Sequence, residues 1–395
     1  MEQALDTKKG VKNMKKKIFL IRCIQAILIF YISLFFTEMK VQAASQYAVD
    51  DLDYSEIQSV LDDVLTNDES MDFGSYVNEL ITGKESFSFG GFLGKIKQGI
   101  TSEIEGNFRS LTKLIIIAVI AAIFTNFSHT FQNSQVAETG FYVTYLLMFG
   151  ILAATFMTAT SLAANTLDKI LDFMKALVPA YCMSVAFCTG VNTSTLVYQG
   201  ILILITLVDV ILIKIIIPLI NLYMMAILAN NLSKEDMLSK LADLLSTVIK
   251  WSLKTLLAVV IGIGTIQSLL APAIDQMKRS AVIKATGSIP AIGGLLSGIS
   301  ETVLGAGVLL KNSIGVAGMI AVIIICAIPL IKLLIYVFIY KLASAVIQPI
   351  SDKRILNCVS ASADATALLL QTVFVGAVLF EIVITIVAVS TKGIF

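Results

Sequence analysis

Apolar residues run in long stretches from residue 114 onward, and polar residues gather ahead of that point. A helix needs about 20 apolar residues to cross the hydrocarbon, at about 1.5 Å each. The stretches 114–131, 141–164, 251–270 and 366–389 meet that length. Residues 175–190 are fewer and include Pro179, which reads as a tilted or partial span. Residues 196–232 and 314–347 are too many for one simple crossing, and the Gly-rich 289–310 reads as re-entrant. Lipid forces every backbone polar group to be satisfied inside the fold, so the spans are helices. The pattern predicts an all-α, polytopic integral membrane bundle of about seven spans, over residues 113–395.

The front of the chain follows a different pattern. Lys8, Lys9, Lys12, Lys15, Lys16 and Lys17 precede an apolar stretch that ends near Phe36, and small residues follow at Ala43 and Ala44. That order is a secretory signal over residues 1–43. The alternative is an uncleaved anchor, and either puts the next segment outside the cytoplasm. Residues 1–43 hold eight basic and three acidic residues, so the remainder of this +1 chain carries −4.

Residues 44–112 form the exported segment. Ten acids and no Lys or Arg lie between Lys40 and Lys84. Leu52, Ile57, Val60, Leu61, Val64 and Leu65 recur at helical spacing, which predicts one or two amphipathic helices. Phe87, Phe89 and Phe92 follow among glycines. The segment reads either as a docking element for a partner or as a solvated acidic face on the membrane domain.

The overlong stretches resemble each other. The run from Ile211 through Pro218 to Asn221 lines up with that from Val322 through Pro329 to Lys332. Each is followed by an amphipathic linker, 232–250 or 342–364, and then by another span, which suggests repeats over 196–271 and 314–390. Ser233 to Asp236 reads as a helix start. Proline removes one helical hydrogen bond and clashes with the preceding turn, so kinks are expected at Pro218 and Pro329. Matched breaks of this kind surround the pathway in many transporters, though they also occur as plain structural kinks.

Charges within spans face the bundle interior or water. Asp209, Lys214, Asn221, Lys332 and Glu381 are the candidates for a polar path or for contacts that lock subunits. Asp209 and Lys214 are about 500° apart on an α-helix and should not share a face. A Lys332–Glu381 pair between helices is expected, as is a basic partner for Asp209. Gly294, Gly298 and Gly305 lie in a glycine cluster, the first two at a spacing that lets helices approach closely.

Composition agrees: 57% of the 395 residues are hydrophobic and 14% charged, against roughly 25% charged in soluble domains. The balanced charge argues against nucleic acid as a partner. Enzymatic and cofactor chemistry finds no foothold. His129 is the sole His, which excludes a multi-His metal site within the chain. Cys182, Cys188, Cys326 and Cys358 form no C-x-x-C and read as small core residues. No phosphate-binding G-x-x-x-x-G-K-[ST] is present, so this chain cannot power itself as an ATPase of that class.

Topology signals conflict. With the acidic segment outside, seven spans leave the carboxyl terminus inside together with Lys278, Arg279 and Lys284, as the positive-inside rule prefers. The same arrangement puts Arg109, Lys113, Lys169, Lys175, Lys234, Lys240, Lys353 and Arg354 outside. The export signal is taken to decide.

Two stretches are more specific than composition. One is SGISETVLGAGVLLKNSIGVAGMI, from Ser297 to Ile320; the other is CAIPLIKLLIYVFIYKLASAVIQPISDKRI, from Cys326 to Ile355. With the signal, the acidic segment and the span series, they make the chain resemble the stage III sporulation protein AE family of endospore-forming bacteria. The likeness covers nearly the whole chain and is strongest from Trp251 to Ile355. It implies a non-enzymatic membrane subunit of the channel, or feeding-tube, complex between mother cell and forespore. It further implies placement in the mother-cell membrane around the forespore, with the amino-terminal segment in the intermembrane space. The implied partners are other stage III sporulation membrane proteins of one operon, a companion secretion-type ATPase and, indirectly, a forespore membrane protein. No catalytic residues, cofactor or metal are implied. The competing reading is a stand-alone secondary transporter, or permease, for a small solute.

Overall fold

The computed structural model describes residues 52–64, 72–82, 112, 116, 134–189, 191–232, 236–286, 293–349 and 352–390. The signal over 1–43, the Phe87–Phe92 stretch and the span expected over 114–131, with His129, lie outside the described residues. Those described are helical, without a strand among them.

Two short helices, α1 (Ser55–Val64) and α2 (Phe73–Thr82), answer to the acidic segment. Acids start both. Asp53 Oδ1 accepts the Ser55 N–H at 2.9 Å, and Asp72 Oδ1 accepts that of Ser75 at 2.9 Å, satisfying donors that a helix start leaves free. The bonds from Ser55 hold the Asp53 carboxyl below its usual range. Gln58 Oε1 accepts the Phe73 N–H at 2.9 Å and joins the pair. Tyr54 stacks on Phe73 with ring centroids 5.7 Å apart, and burial pushes its hydroxyl up to about 12, so it stays a neutral packing group. Phe73 in turn meets Phe173 of the bundle at 6.4 Å. The acidic segment therefore packs on the membrane domain.

The bundle consists of α3 (Ser134–Thr189), α4 (Val191–Asp209), a π-helical turn (Val210–Ile216), α5 (Ile217–Asn230), α6 (Ser239–Thr286), α7 (Gly293–Ile347) and α8 (Lys353–Ser390). Five stretches among the described residues are long and apolar enough to cross a membrane: Tyr142–Phe187, Val197–Asn230, Ser239–Ile266, Gly307–Ile347 and Lys353–Ala388. This is an integral membrane protein.

Several expected breaks are absent. The segments 141–164 and 175–190 are one helix, and Pro179 lies inside it. The expected re-entrant 289–310 joins 314–347 as α7, which contains Pro329. Glycine costs a helix about 1 kcal/mol relative to Ala. An unpaired backbone group in hydrocarbon costs several, so continuity wins. The linkers of the proposed repeats are likewise the first turns of α6 and α8. The start expected at Ser233 to Asp236 falls instead at Ser239, where Asn230 bonds Asp236 at 2.9 Å and accepts the Leu238 N–H at 2.6 Å.

Contacts fix the directions. Tyr145 near the start of α3 donates to Leu228 O at the end of α5 and lies 3.1 Å from Cys358 Sγ at the start of α8. At the other end, Tyr181 donates to Ile384 O at 3.3 Å and lies against Gly315, where an added Cβ would come within 2.9 Å of its hydroxyl. The five long units thus run up and down in sequence. The hairpin α4–α6 and the hairpin α7–α8 start from the same end.

α8 is the centre: 61% of its span is buried, against 28–39% for the other four. It packs on α7, α3, α6, α5 and α4. Its close neighbours meet at glycines. A Cβ at Gly376 would come within 2.5 Å of Leu167, and one at Gly264 within 2.1 Å of Ile386. On the α3–α7 contact, Gly318 is similarly tight against Leu177 at 2.6 Å. At Gly305 nothing described lies within 4 Å, so that glycine is not a close-packing position among the described residues. Gly294 and Gly298 lie in the first turns of α7, and their surroundings are outside what is described.

The up-and-down order makes a direct prediction. In a chain stripped of Cys182, Cys188, Cys326 and Cys358, single cysteines at Asp236 and Asp352 will react with an impermeant thiol reagent from one side of the membrane. Cysteines at Thr189 and Thr286 will react only from the other. Labelling of 236 and 352 from opposite sides would overturn the arrangement.

Candidate functional site

The first polar candidates sit where α4 gives way to α5. Pro218 has no N–H to offer the carbonyl four residues back, and its ring crowds that turn. The chain responds by widening over Val210–Ile216, with the Ile217 N–H bonding Leu212 O, five residues back. In such a turn residues five apart stack above one another. Asp209 and Lys214 consequently share a face and form an ion pair at 3.6 Å, contrary to the α-helical expectation. Asp209 has found its basic partner, but within its own chain segment. The Lys214 side chain is 66% exposed, so the pair contributes at most about 1 kcal/mol. Pro329 provokes no comparable widening in α7. Asn221, half-buried, accepts from Thr160 Oγ1 of α3 at 3.0 Å and ties α3 to α5.

Lys332 and Glu381 do not pair. Glu381 lies beside Cys326 of α7, six residues before Lys332, or about 9 Å along the helix. The Oε1 atom of Glu381 is buried and has no hydrogen-bond partner. A different lysine is deeply buried. Lys311, 0% exposed, donates to Ala388 O at 3.2 Å. A cation there meets the free carbonyls and negative end of α8, so its role is explained by the helix terminus. The sequence reading passed over it because its partner lies 77 residues away.

The most informative feature is the strip of α8 that its neighbours leave open. Asn357, Asp364 and Gln371 are exposed and spaced by seven, so they stack along one line. Ser360, Val378 and Thr385 continue or flank that line and are partly exposed. α7, α3, α4 and α5 follow one another around α8, and α6 packs on α5 and α8 without extensive packing on α7. The uncovered line therefore runs between α6 and α7. Lys341 of α7 reaches Asp364 there at 2.7 Å. Asp364 and Asp243 of α6 both act electrostatically on Tyr223 of α5, which places α5, α6 and α8 at one junction.

At the same height the flanks differ sharply. Around Tyr145, α3 exposes Tyr142, Val143, Leu146 and Leu147. α6 at this level carries Lys240, Asp243, Lys250 and Lys254 on one face and exposes Leu241, Leu244, Val248 and Trp251 on another. One side of the bundle suits lipid, while the α6–α8–α7 side carries charges that require water or a polar partner. A shallow surface lined by Leu202, Ile203, Thr206, Leu207, Val210 and Ile211 belongs to α4 and its π turn, and suits lipid. No group of three metal-ligating side chains occurs among the described residues.

A profile of the family described as stage III sporulation protein AE matches residues 71–391. The chain belongs to that family. It is a sporulation protein, and the matched region takes in α2 and all the helices of the bundle. The chain is similar to the stage III sporulation protein AE of Bacillus subtilis (strain 168), with 25% identity over 286 residues, 72% of each chain. No solved structure matches it.

Exposed and buried polar groups should respond differently to substitution. Asn357→Leu and Gln371→Leu will change unfolding free energy in detergent by no more than about 0.5 kcal/mol. Tyr145→Phe strands the Leu228 carbonyl and will cost about 1–3 kcal/mol. Thermal or denaturant unfolding of the purified protein gives the comparison.

Proposed function

We propose that this chain is a non-enzymatic membrane subunit of the channel complex linking mother cell and forespore during sporulation, and that it contributes the open strip of α8 to a polar path. The observation that carries this reading is the line of Asn357, Asp364 and Gln371 on a helix otherwise enclosed by its neighbours. A central helix with no transport or assembly role has no need of polar side chains on its one uncovered face. Family membership supports the sporulation setting.

In this reading the protein resides in the mother-cell membrane around the forespore, with α1 and α2 in the intermembrane space. The exposed acids of those helices, among them Glu56, Asp62, Asp63 and Glu79, are left to meet partners while their apolar faces hold the bundle. Other stage III sporulation membrane proteins complete the path, and a companion secretion-type ATPase supplies the energy.

The test uses strip variants chosen to leave the fold intact. Asp364→Leu and Gln371→Leu will accumulate in the membrane at the wild-type level and co-purify with the other stage III membrane proteins, yet lower spore yield by about tenfold or more. Normal spore yield from the double variant would refute a polar path along α8. The purified protein alone in vesicles will move no small solute; uptake without partners would favour a stand-alone transporter.

A further inference from the structure

Glu381 is the carboxylate among the described residues whose buried oxygen no donor reaches. It sits within the last apolar span, Lys353–Ala388. Its surroundings come from three elements besides its own. α7 sets Cys326 beside it and Met319 Sδ 3.9 Å from Thr385, one turn on. α3 directs the Tyr181 hydroxyl to Ile384 O at 3.3 Å, and α6 brings Gly264 against Ile386.

Charged groups stand further off. Lys332 follows Cys326 by about 9 Å along α7, and Lys311 binds Ala388 O about 10 Å along α8 from Glu381. On α3, Asp168 follows Leu167, which packs at Gly376, about 8 Å down α8 from Glu381. None of these charges acts measurably on Glu381. An ionised carboxylate so placed is neither paired nor hydrated, and burial of a lone charge is strongly unfavourable. The neutral acid needs no counter-charge.

We propose that Glu381 is a proton-binding site: its carboxyl is carried as the neutral acid while α7 and α8 are in contact, and it releases the proton only when that contact opens to water. Proton release is then tied to separation of two central helices, about 15 Å along α8 from the open strip at Gln371. The inference rests on the packing of Glu381 and not on the channel reading. It holds equally if the strip conducts nothing.

Dicyclohexylcarbodiimide supplies the test, because it is apolar and reacts with protonated carboxyls. The acid adds across a C=N bond, its oxygen bonding to carbon and its proton passing to nitrogen. The O-acylisourea formed rearranges to an N-acylurea, so the adduct keeps the full mass of the reagent. The full-length protein in detergent at neutral pH is treated, digested and mapped by mass spectrometry. Glu381 will be labelled about tenfold or more faster than Asp243 or Asp364, since each unit of proton affinity is a factor of ten in the acid form. Its rate will fall as pH rises, and the corresponding peptide of Glu381→Gln will carry no adduct. Labelling at Glu381 no faster than at Asp364 would overturn the proposal, as would an undiminished adduct in the Gln variant. If that variant does not accumulate, the ratio within the wild-type protein still decides.

Discussion

A backbone carbonyl or N–H set free inside hydrocarbon has no water to bond, and the architecture follows from that constraint. Pro179 and Pro329 lie inside unbroken helices, and Pro218 is absorbed by a π turn that keeps the chain helical from Val191 to Asn230. The helices also exceed what a bilayer demands. Tyr142–Phe187 holds 46 residues, or about 69 Å, against a hydrocarbon core of about 30 Å. Length is therefore available for contacts beyond the membrane, and α1 and α2 use it where Phe73 meets Phe173.

Because lipid offers no hydrophobic drive between helices, packing and local polar contacts must hold the bundle. Glycines at 264, 315, 318 and 376 let neighbours approach. Tyr145, Tyr181 and Lys311 each give a polar atom to a carbonyl near a helix end. These contacts converge on α8 and leave it enclosed except between α6 and α7. The enclosed faces are apolar and small, and the open line is polar. That division gives the last helix a task other than filling the core.

Much of this was legible in the chain. Unbroken apolar stretches identified the membrane helices, and the acidic segment with its helical spacing foretold α1 and α2. The resemblance in the stretches around Lys311 and Lys332 held, since the family match covers both. What failed did so for physical reasons. Proline and glycine were read as breaks, as they would be in water, so α3 and α7 were divided. Asp209 and Lys214 were separated by applying α-helical geometry to a turn that Pro218 had widened. Lys332 and Glu381 were paired by membership of neighbouring helices, without regard to their heights. The repeat of seven at Asn357, Asp364 and Gln371 was present in the sequence and could have been found by asking which positions of the last span were polar.

The account depends on α8 being a central helix with a single watered face. Cysteine scanning from Asn357 to Thr385, with a hydrophilic thiol reagent applied to the protein in native membranes, examines that face directly. Modification should peak at 357, 364 and 371, with protection at Val359, Leu369 and Val373, which are buried. Uniform protection along the helix, or reaction greatest at the buried positions, would contradict it.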